Sequence, residues 1–329
     1  MYRPYPELEI QWNPDYTNFV LKCPWVSIEV EVDPSDRENV LSQLHSGFAP
    51  EFLEFFSDYP ISYFRPRALP EFAIQTLDFS WGRSSWPADQ ILEQSEIPGA
   101  DGLYDPQTAY GLIRRQRLIR ESSAKSTLGV YSELGQLLDQ NEAAFLQVAR
   151  EILRQTYHVT SQCDFALAPA SLASPLDSKK INSYRRSELG HDRLVLRSLN
   201  ELGVRKSQLS EVMILPETAR SMELLREAAQ HHPLAFCCLV GLFEGESFSK
   251  SDPLADLLAR SSRPKAAEGI QKHFEINRDG NHAQIGESFV KDLGPVSEEA
   301  IRSAIFMTEE AVALGVALND HFVRKVRSC

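Results

Sequence analysis

Five stretches in the later part of the 329-residue chain repeat apolar residues at helical spacing, and this most constrains the fold. They are NEAAFLQVAREILRQTYHV, SKKINSYRRSELGHDRLVLRSLNELG, PETARSMELLREAAQHHPLAFCCLVGLFEG, PKAAEGIQKHFEIN and SEEAIRSAIFMTEEAVALGVALNDHFVRKV. Pro169, Pro175, Pro216, Pro264 and Pro295 fall between these segments or at their starts, where a missing N–H costs nothing. A helix with one apolar stripe must bury it against other helices. The expected architecture over residues 112–329 is therefore mainly α, a bundle of about seven helices. At 43% apolar residues the chain has the material for such a core.

Residues 1–111 read differently, as a small α+β domain. ELEIQW, NFVLKC and WVSIEVEV are rich in aromatic and β-branched residues and end at Asn, Pro or Asp, as strands do. Ile28, Val30 and Val32 alternate with Glu29 and Glu31, the two-residue period of a half-buried strand. DRENVLSQLHSG and APEFLEFFSDYP return to helical spacing. From RPRALP through SSWPADQILEQSEIPGADGLYDP proline and glycine accumulate, which predicts a connecting region.

The formal charge of −12, with no basic block, argues against a nucleic-acid partner. No signal-peptide pattern opens the chain, and no apolar run approaches the ~18 residues of a membrane span, so a cytoplasmic protein is expected. Cys23, Cys163, Cys237, Cys238 and Cys329 are odd in number and contain no CxxC pair, which excludes a disulfide framework and a thiolate zinc site as expectations. GxGxxG and GxxxxGK[ST] are also absent.

Chemistry concentrates in HFEINRDGNH, His273 to His282, and in SELGHD. A carboxylate three residues before a histidine can share its helix face, the device by which helical bundles grip iron. Glu188 precedes His191, and Asp279 precedes His282, in this way. With 46 acidic residues in 329, about one such pair among eight histidines arises by chance, so position must carry the argument. The two pairs lie in separate helical segments. A third segment, LAFCCLVGLF, ends in Glu244, a carboxylate that is costly there unless it is paired, bound to a cation or simply wet at a loop. On an ideal helix Glu275, Asp279 and His282 share one face, while His273, nine residues before His282, points away. Gly280 offers the alternative: a bulge or helix end there would rotate the segment and bring His273 inward.

SELGHDRLVLRSLNELG, LVGLFEGES and HFEINRDGNHAQIG, in this order over about residues 120–329, resemble the haem-oxygenase-like diiron oxidases and oxygenases, relatives of thiaminase-II and pyrroloquinoline quinone synthase. The resemblance implies a seven-helix haem-oxygenase-like bundle and a non-haem iron oxidoreductase. Its cofactor would be Fe(II), two ions per chain, with dioxygen as co-substrate. The ligands it implies are Glu188, His191, Glu244, Asp279 and His282. Glu275 stands where the family's His-x-x-x-Asp-x-x-His run begins with histidine, and as a carboxylate it is expected to ligate iron there as well. That departure keeps open a one-iron oxygenase and a metal-free bundle acting as a ligand-binding or scaffold protein. The substrate implied is amine-, amino-acid- or peptide-like and biosynthetic. Arg185, Arg186 and Arg193 are either a carboxylate-recognising group or a solvated face. The N-terminal domain is expected to recognise a peptide or to dimerise the chain. Expected partners are thus a small-molecule or peptide substrate, with a homodimer open and no membrane.

Overall fold

The computed structural model describes residues 86–100, 102–123, 126–173, 175–209, 214–245 and 251–329, together with strands at 9–12, 18–23, 26–31 and 76–78. The chain divides into two compact units, Met1–Ser85 and Trp86–Cys329. In the first, β1 (Glu9–Trp12), β2 (Asn18–Cys23), β3 (Val26–Glu31) and β4 (Thr76–Asp78) form an antiparallel sheet in sequential order. Leu21 pairs with Ile28 and Phe19 with Val30 in the backbone register of β2 and β3. The two helical stretches expected between residues 36 and 60 lie outside the described residues.

The second unit is mainly α. Its helices are α1 (Ala88–Ser95), α2 (Pro106–Ser123), α3 (Ser126–Gln140), α4 (Glu142–Leu167), the single turn α5 (Ala170–Ala173), α6 (Ser178–Glu188) and α7 (His191–Glu201). There follow α8 (Pro216–His231), α9 (Pro233–Phe243), α10 (Pro253–Arg260), α11 (Ala266–Asp279), α12 (Ile285–Val290) and α13 (Glu298–Arg327). A two-residue pair, β5 (Leu103–Tyr104) with β6 (Val296–Ser297), joins its two ends. Part of the stretch read as a connecting region is thus ordered: α1 buries Ile91 and Leu92. Helix α2 also runs through residue 111, and the compact units divide earlier, after Ser85.

Local chemistry explains the starts and stops. Asn141, Asp177, Asp252 and Ser297 each accept a backbone N–H in the first turn of the helix they precede, satisfying a donor that would otherwise be orphaned. Pro216, Pro233 and Pro253 open their helices. The segment PETARS…LFEG, read as continuous, is cut at His232 because a residue before proline is driven out of the α region; His232 sits at φ −130°, ψ 75°. SKKINS…NELG is likewise cut at Leu189–Gly190, where Gly190 takes φ +95°.

The main core lies among α3, α4, α7, α10, α11 and α13, with Leu134, Phe145, Leu153, Val195, Leu199, Leu258 and Phe322 buried together. Helix α9 is apolar all round, and Leu234 to Gly241 are all buried, as an inner helix requires. Two crossings are too close for a side chain. A Cβ at Gly269 of α11 would lie 2.2 Å from the Leu194 carbonyl of α7, and one at Gly286 of α12 would lie 2.5 Å from the Cys237 carbonyl of α9. Ser198 Oγ seals the first crossing by accepting the Ile270 N–H at 3.0 Å. Among the described residues, no helix is long and apolar enough to cross a membrane.

Candidate metal centre

Four side chains expected as ligands meet at helix ends. Glu188 is the last residue of α6, His191 the first of α7, Glu244 follows α9, and His282 opens a short 3-10 turn after α11. Glu188 and His191 therefore reach each other across a break between helices instead of along one helix face, with Glu188 Oε2 3.0 Å from His191 Nδ1. His282 Nδ1 lies 3.0 Å from Glu244 Oε2 and 3.2 Å from Glu188 Oε1. Ligand atoms of Glu188, Glu244 and His282 all fall within 4.8 Å of one another. Their side chains are only 4–8% exposed, so water scarcely reaches them.

Glu275 and Asp279 do not join the cluster, a correction to the face expected from an ideal helix. Helix α11 ends at Asp279, and Asn281 turns the chain into the left-handed region at φ 56°, which asparagine tolerates better than most residues. Residues after this turn are rotated away from the helical register. Asp279 is left exposed beside Arg278, and Glu275 accepts from Gln271 Nε2 at 3.3 Å and lies near Lys272. Gly280 leaves room for a side chain at the new turn. The His282 ring folds back over it, and a Cβ there would stand 2.9 Å from ring atoms Cδ2 and Nε2.

His273, upstream of this turn on α11, faces inward. Its ring meets His191 edge to face at 4.8 Å between centroids, and burial, followed by the neighbouring His191, pushes its pKa down to about 4. His273 is thus a neutral imidazole. One turn further on, Asn277 presents a buried Oδ1 with no hydrogen-bond partner. For His282 burial acts downward, but the hydrogen bond and charge of Glu244 and the charge of Glu188 outweigh it and raise the pKa.

Two further residues touch the carboxylates. Tyr184, one turn before Glu188 on α6, donates its hydroxyl to Glu244 Oε1 and packs edge-on against the His282 ring at 5.5 Å. Cys163 of α4 approaches Glu188 Oε2 at 3.9 Å. Burial and the two carboxylates hold both groups protonated. The four-residue spacing of Tyr184 and Glu188 was a readable signal for the former; nothing in sequence pointed to Cys163. Arg185 is tied to Asp164 and Ser171, and Arg186 to the Asn182 carbonyl, so neither stands free as a carboxylate receptor.

These donors fit a divalent cation. Glu188 Oε1 and both ring nitrogens of His191 are buried without an aligned hydrogen bond, and carboxylate with imidazole is a donor set suited to iron. Residues 150–316 match the family model of iron-containing redox enzymes, and the chain belongs to this haem-oxygenase-like family. No curated protein matches the chain significantly. Among solved structures, a domain of unknown function with a haem-oxygenase-like fold from Shewanella denitrificans is similar at 14% identity and TM-score 0.48, covering 65% of this chain and 90% of its own. A TenA homologue from Pseudomonas syringae pv. tomato is similar at 14% identity and TM-score 0.46, covering 63% and 92% respectively.

Proposed function

We propose that the protein is a non-haem iron oxidase or oxygenase that uses dioxygen to oxidise an amine-, amino-acid- or peptide-type substrate. The observation carrying this reading is the buried convergence of Glu188, Glu244 and His282, with Glu188 Oε1 and the His191 nitrogens lacking an aligned hydrogen bond beside it. Glu188, Glu244 and His282 would hold iron. When bound, iron supplies the one-electron redox chemistry with dioxygen that protein side chains lack.

The chain's own contribution is orientation and dryness. Tyr184 occupies Glu244 Oε1 and leaves Oε2 directed to the cluster, where His282 already meets it. Phe289 packs against Tyr184 at 5.9 Å and against buried Phe236, fixing the ring that fixes the carboxylate. A thiol-dependent hydrolysis finds little support, because Cys163 is held as a protonated thiol and not as the thiolate that attacks.

Anaerobic loading with Fe(II), desalting and elemental analysis test the reading, followed by Mössbauer spectroscopy before and after exposure to dioxygen. Iron should be retained by the wild-type chain, convert to Fe(III) with dioxygen, and be lost in His282→Ala. A chain that retains no iron, or a His282→Ala variant that keeps it all, would refute the assignment.

A further inference from the structure

Two halves of the centre differ in kind. On one side stand Glu188, Glu244 and His282, with ligand atoms mutually within 4.8 Å. On the other stand His191, whose Nδ1 also lies 3.0 Å from Glu188 Oε2, and His273, ring to ring with it at 4.8 Å; Asn277, four residues after His273 on the same face of α11, has a buried Oδ1 without a partner. Among the described residues, the second half has no carboxylate besides Glu188, which it shares with the first. Those expected to supply one are engaged elsewhere: Asp279 lies at the surface against Arg278, and Glu275 is held by Gln271 and Lys272.

We propose that the centre takes a single divalent ion, held by Glu188, Glu244 and His282, and that the amide of Asn277 occupies the place where a second ion would need a carboxylate. The proposal rests on the iron reading above and fixes its stoichiometry.

Charge is the physical reason. One divalent ion neutralises the two carboxylates of the cluster. A second would bring the total to four positive charges against two negative ones, in a site where the side chains are almost fully buried. Imidazole ligates as a neutral group and an amide oxygen is neutral, so His191, His273 and Asn277 offer lone pairs without compensating charge. Uncompensated buried charge is strongly disfavoured, and the ion that would leave it so is the one that does not bind. The helical run explains how this arises. His273 and Asn277 are spaced as the first histidine and the acidic residue of the family's run are, so the structure begins that run two residues earlier than alignment on His282 does. At its carboxylate position it carries the uncharged isostere.

The test loads the full chain anaerobically with Mn(II) and reads ions per chain by elemental analysis and coupling by electron paramagnetic resonance. One ion per chain with the hyperfine sextet of an isolated Mn(II) is expected. Two ions with an exchange-coupled spectrum would overturn this inference while leaving the iron reading standing, whereas no ion at all would overturn both. Asn277→Asp should raise the stoichiometry towards two and introduce coupling. A well-folded Asn277→Asp protein that still binds one ion would overturn the role given to Asn277. His273→Ala should keep the single ion, and its loss there would show that the ion does not reside on the carboxylate side.

Discussion

Substituting Gly280 by alanine separates the stability of the bundle from the geometry of its centre. The backbone at Gly280 is φ −76°, ψ −3°, a conformation alanine adopts freely, so reduced freedom of the unfolded chain stabilises the variant by about 0.4–1 kcal/mol. Against this, the new Cβ would stand 2.9 Å from two atoms of the His282 ring. Carbon contacts settle at about 3.5–4.0 Å, so the ring must retreat by roughly 0.6 Å or more. It is confined on the other side by Glu188 and Glu244 at 3.2 and 3.0 Å and by the Tyr184 ring. Overpacking of this sort costs about 1–3 kcal/mol in a rigid core and less where one side chain can give way. The two effects nearly cancel in the apo protein. They do not cancel at a metal, since bond lengths there tolerate only about 0.2 Å. We expect an apo melting temperature close to wild type, together with a Mn(II) affinity lower by about 10-fold or more. Calorimetric unfolding without metal and titration calorimetry with Mn(II) provide the readings. Gly315→Ala in α13, an exposed site where a Cβ meets nothing within 4 Å, is the control; it should add up to about 1 kcal/mol and leave affinity unchanged. Unaltered Mn(II) affinity in Gly280→Ala would refute the argument that His282 is wedged in place by the missing side chain.

Tyr184→Phe keeps the ring packed on His282 and Phe289 but removes the hydroxyl from Glu244; Mn(II) affinity should fall by about 10-fold, and equal loss in Phe289→Leu would mean that ring packing, not the hydroxyl, matters. Gly269→Ala would drive a Cβ to 2.2 Å from the Leu194 carbonyl and 2.6 Å from Ser198 Oγ, so α7 and α11 must part; a loss of about 1–3 kcal/mol by denaturant unfolding is expected, and wild-type stability would contradict the crossing. Arg220 of α8 makes a two-pronged, buried ion pair with Glu310 of α13 at 2.7 and 3.0 Å. Arg220→Met should cost about 3–5 kcal/mol by stranding Glu310, while the double replacement of both by methionine should recover part of it, since Glu227, 3.6 Å from Arg220, still loses its cation; a single variant as stable as wild type would show the pair to be dispensable.

The legibility of the sequence divides along physical lines. Periodicity located α4, α11 and α13, because long amphipathic repeats are insensitive to their surroundings. Carboxylate-x-x-His spacing paired Glu188 with His191, which do meet, but it also paired His282 with Asp279, whereas His282 meets Glu244, a residue that only the family resemblance groups with it. It misplaced Glu275, Asp279 and His273 for one reason. Counting residues around a helix assumes that the helix continues, and α11 stops at Asp279. A left-handed Asn281 rotates the downstream residues by an amount that no spacing rule contains. The same blindness merged α6 with α7, where Gly190 has φ +95°, and α8 with α9, where the residue before Pro233 leaves the helical region.

These breaks are also where the centre is built, and the coincidence has an electrostatic basis. A helix end exposes backbone groups that its own hydrogen bonds leave over, and its C-terminus carries a partial negative charge. Glu188 closes α6, Glu244 caps α9 and α11 ends just before His282, so three C-termini as well as two carboxylates approach one point, against the N-terminus of α7 at His191 and the single 3-10 turn that opens at His282. Each terminus contributes about 0.3–1 kcal/mol to a nearby charge of the right sign. The balance favours a cation over an anion before any side chain is counted. Had α6 and α7 been one helix, their dipoles would have run past the site and added nothing. The glycine that breaks them therefore shapes the field as well as the path. Gly190→Ala, which must strain a backbone held at φ +95°, should weaken Mn(II) binding even though a Cβ there would touch nothing within 4 Å. Unchanged binding in that variant would show that the carboxylates alone hold the ion.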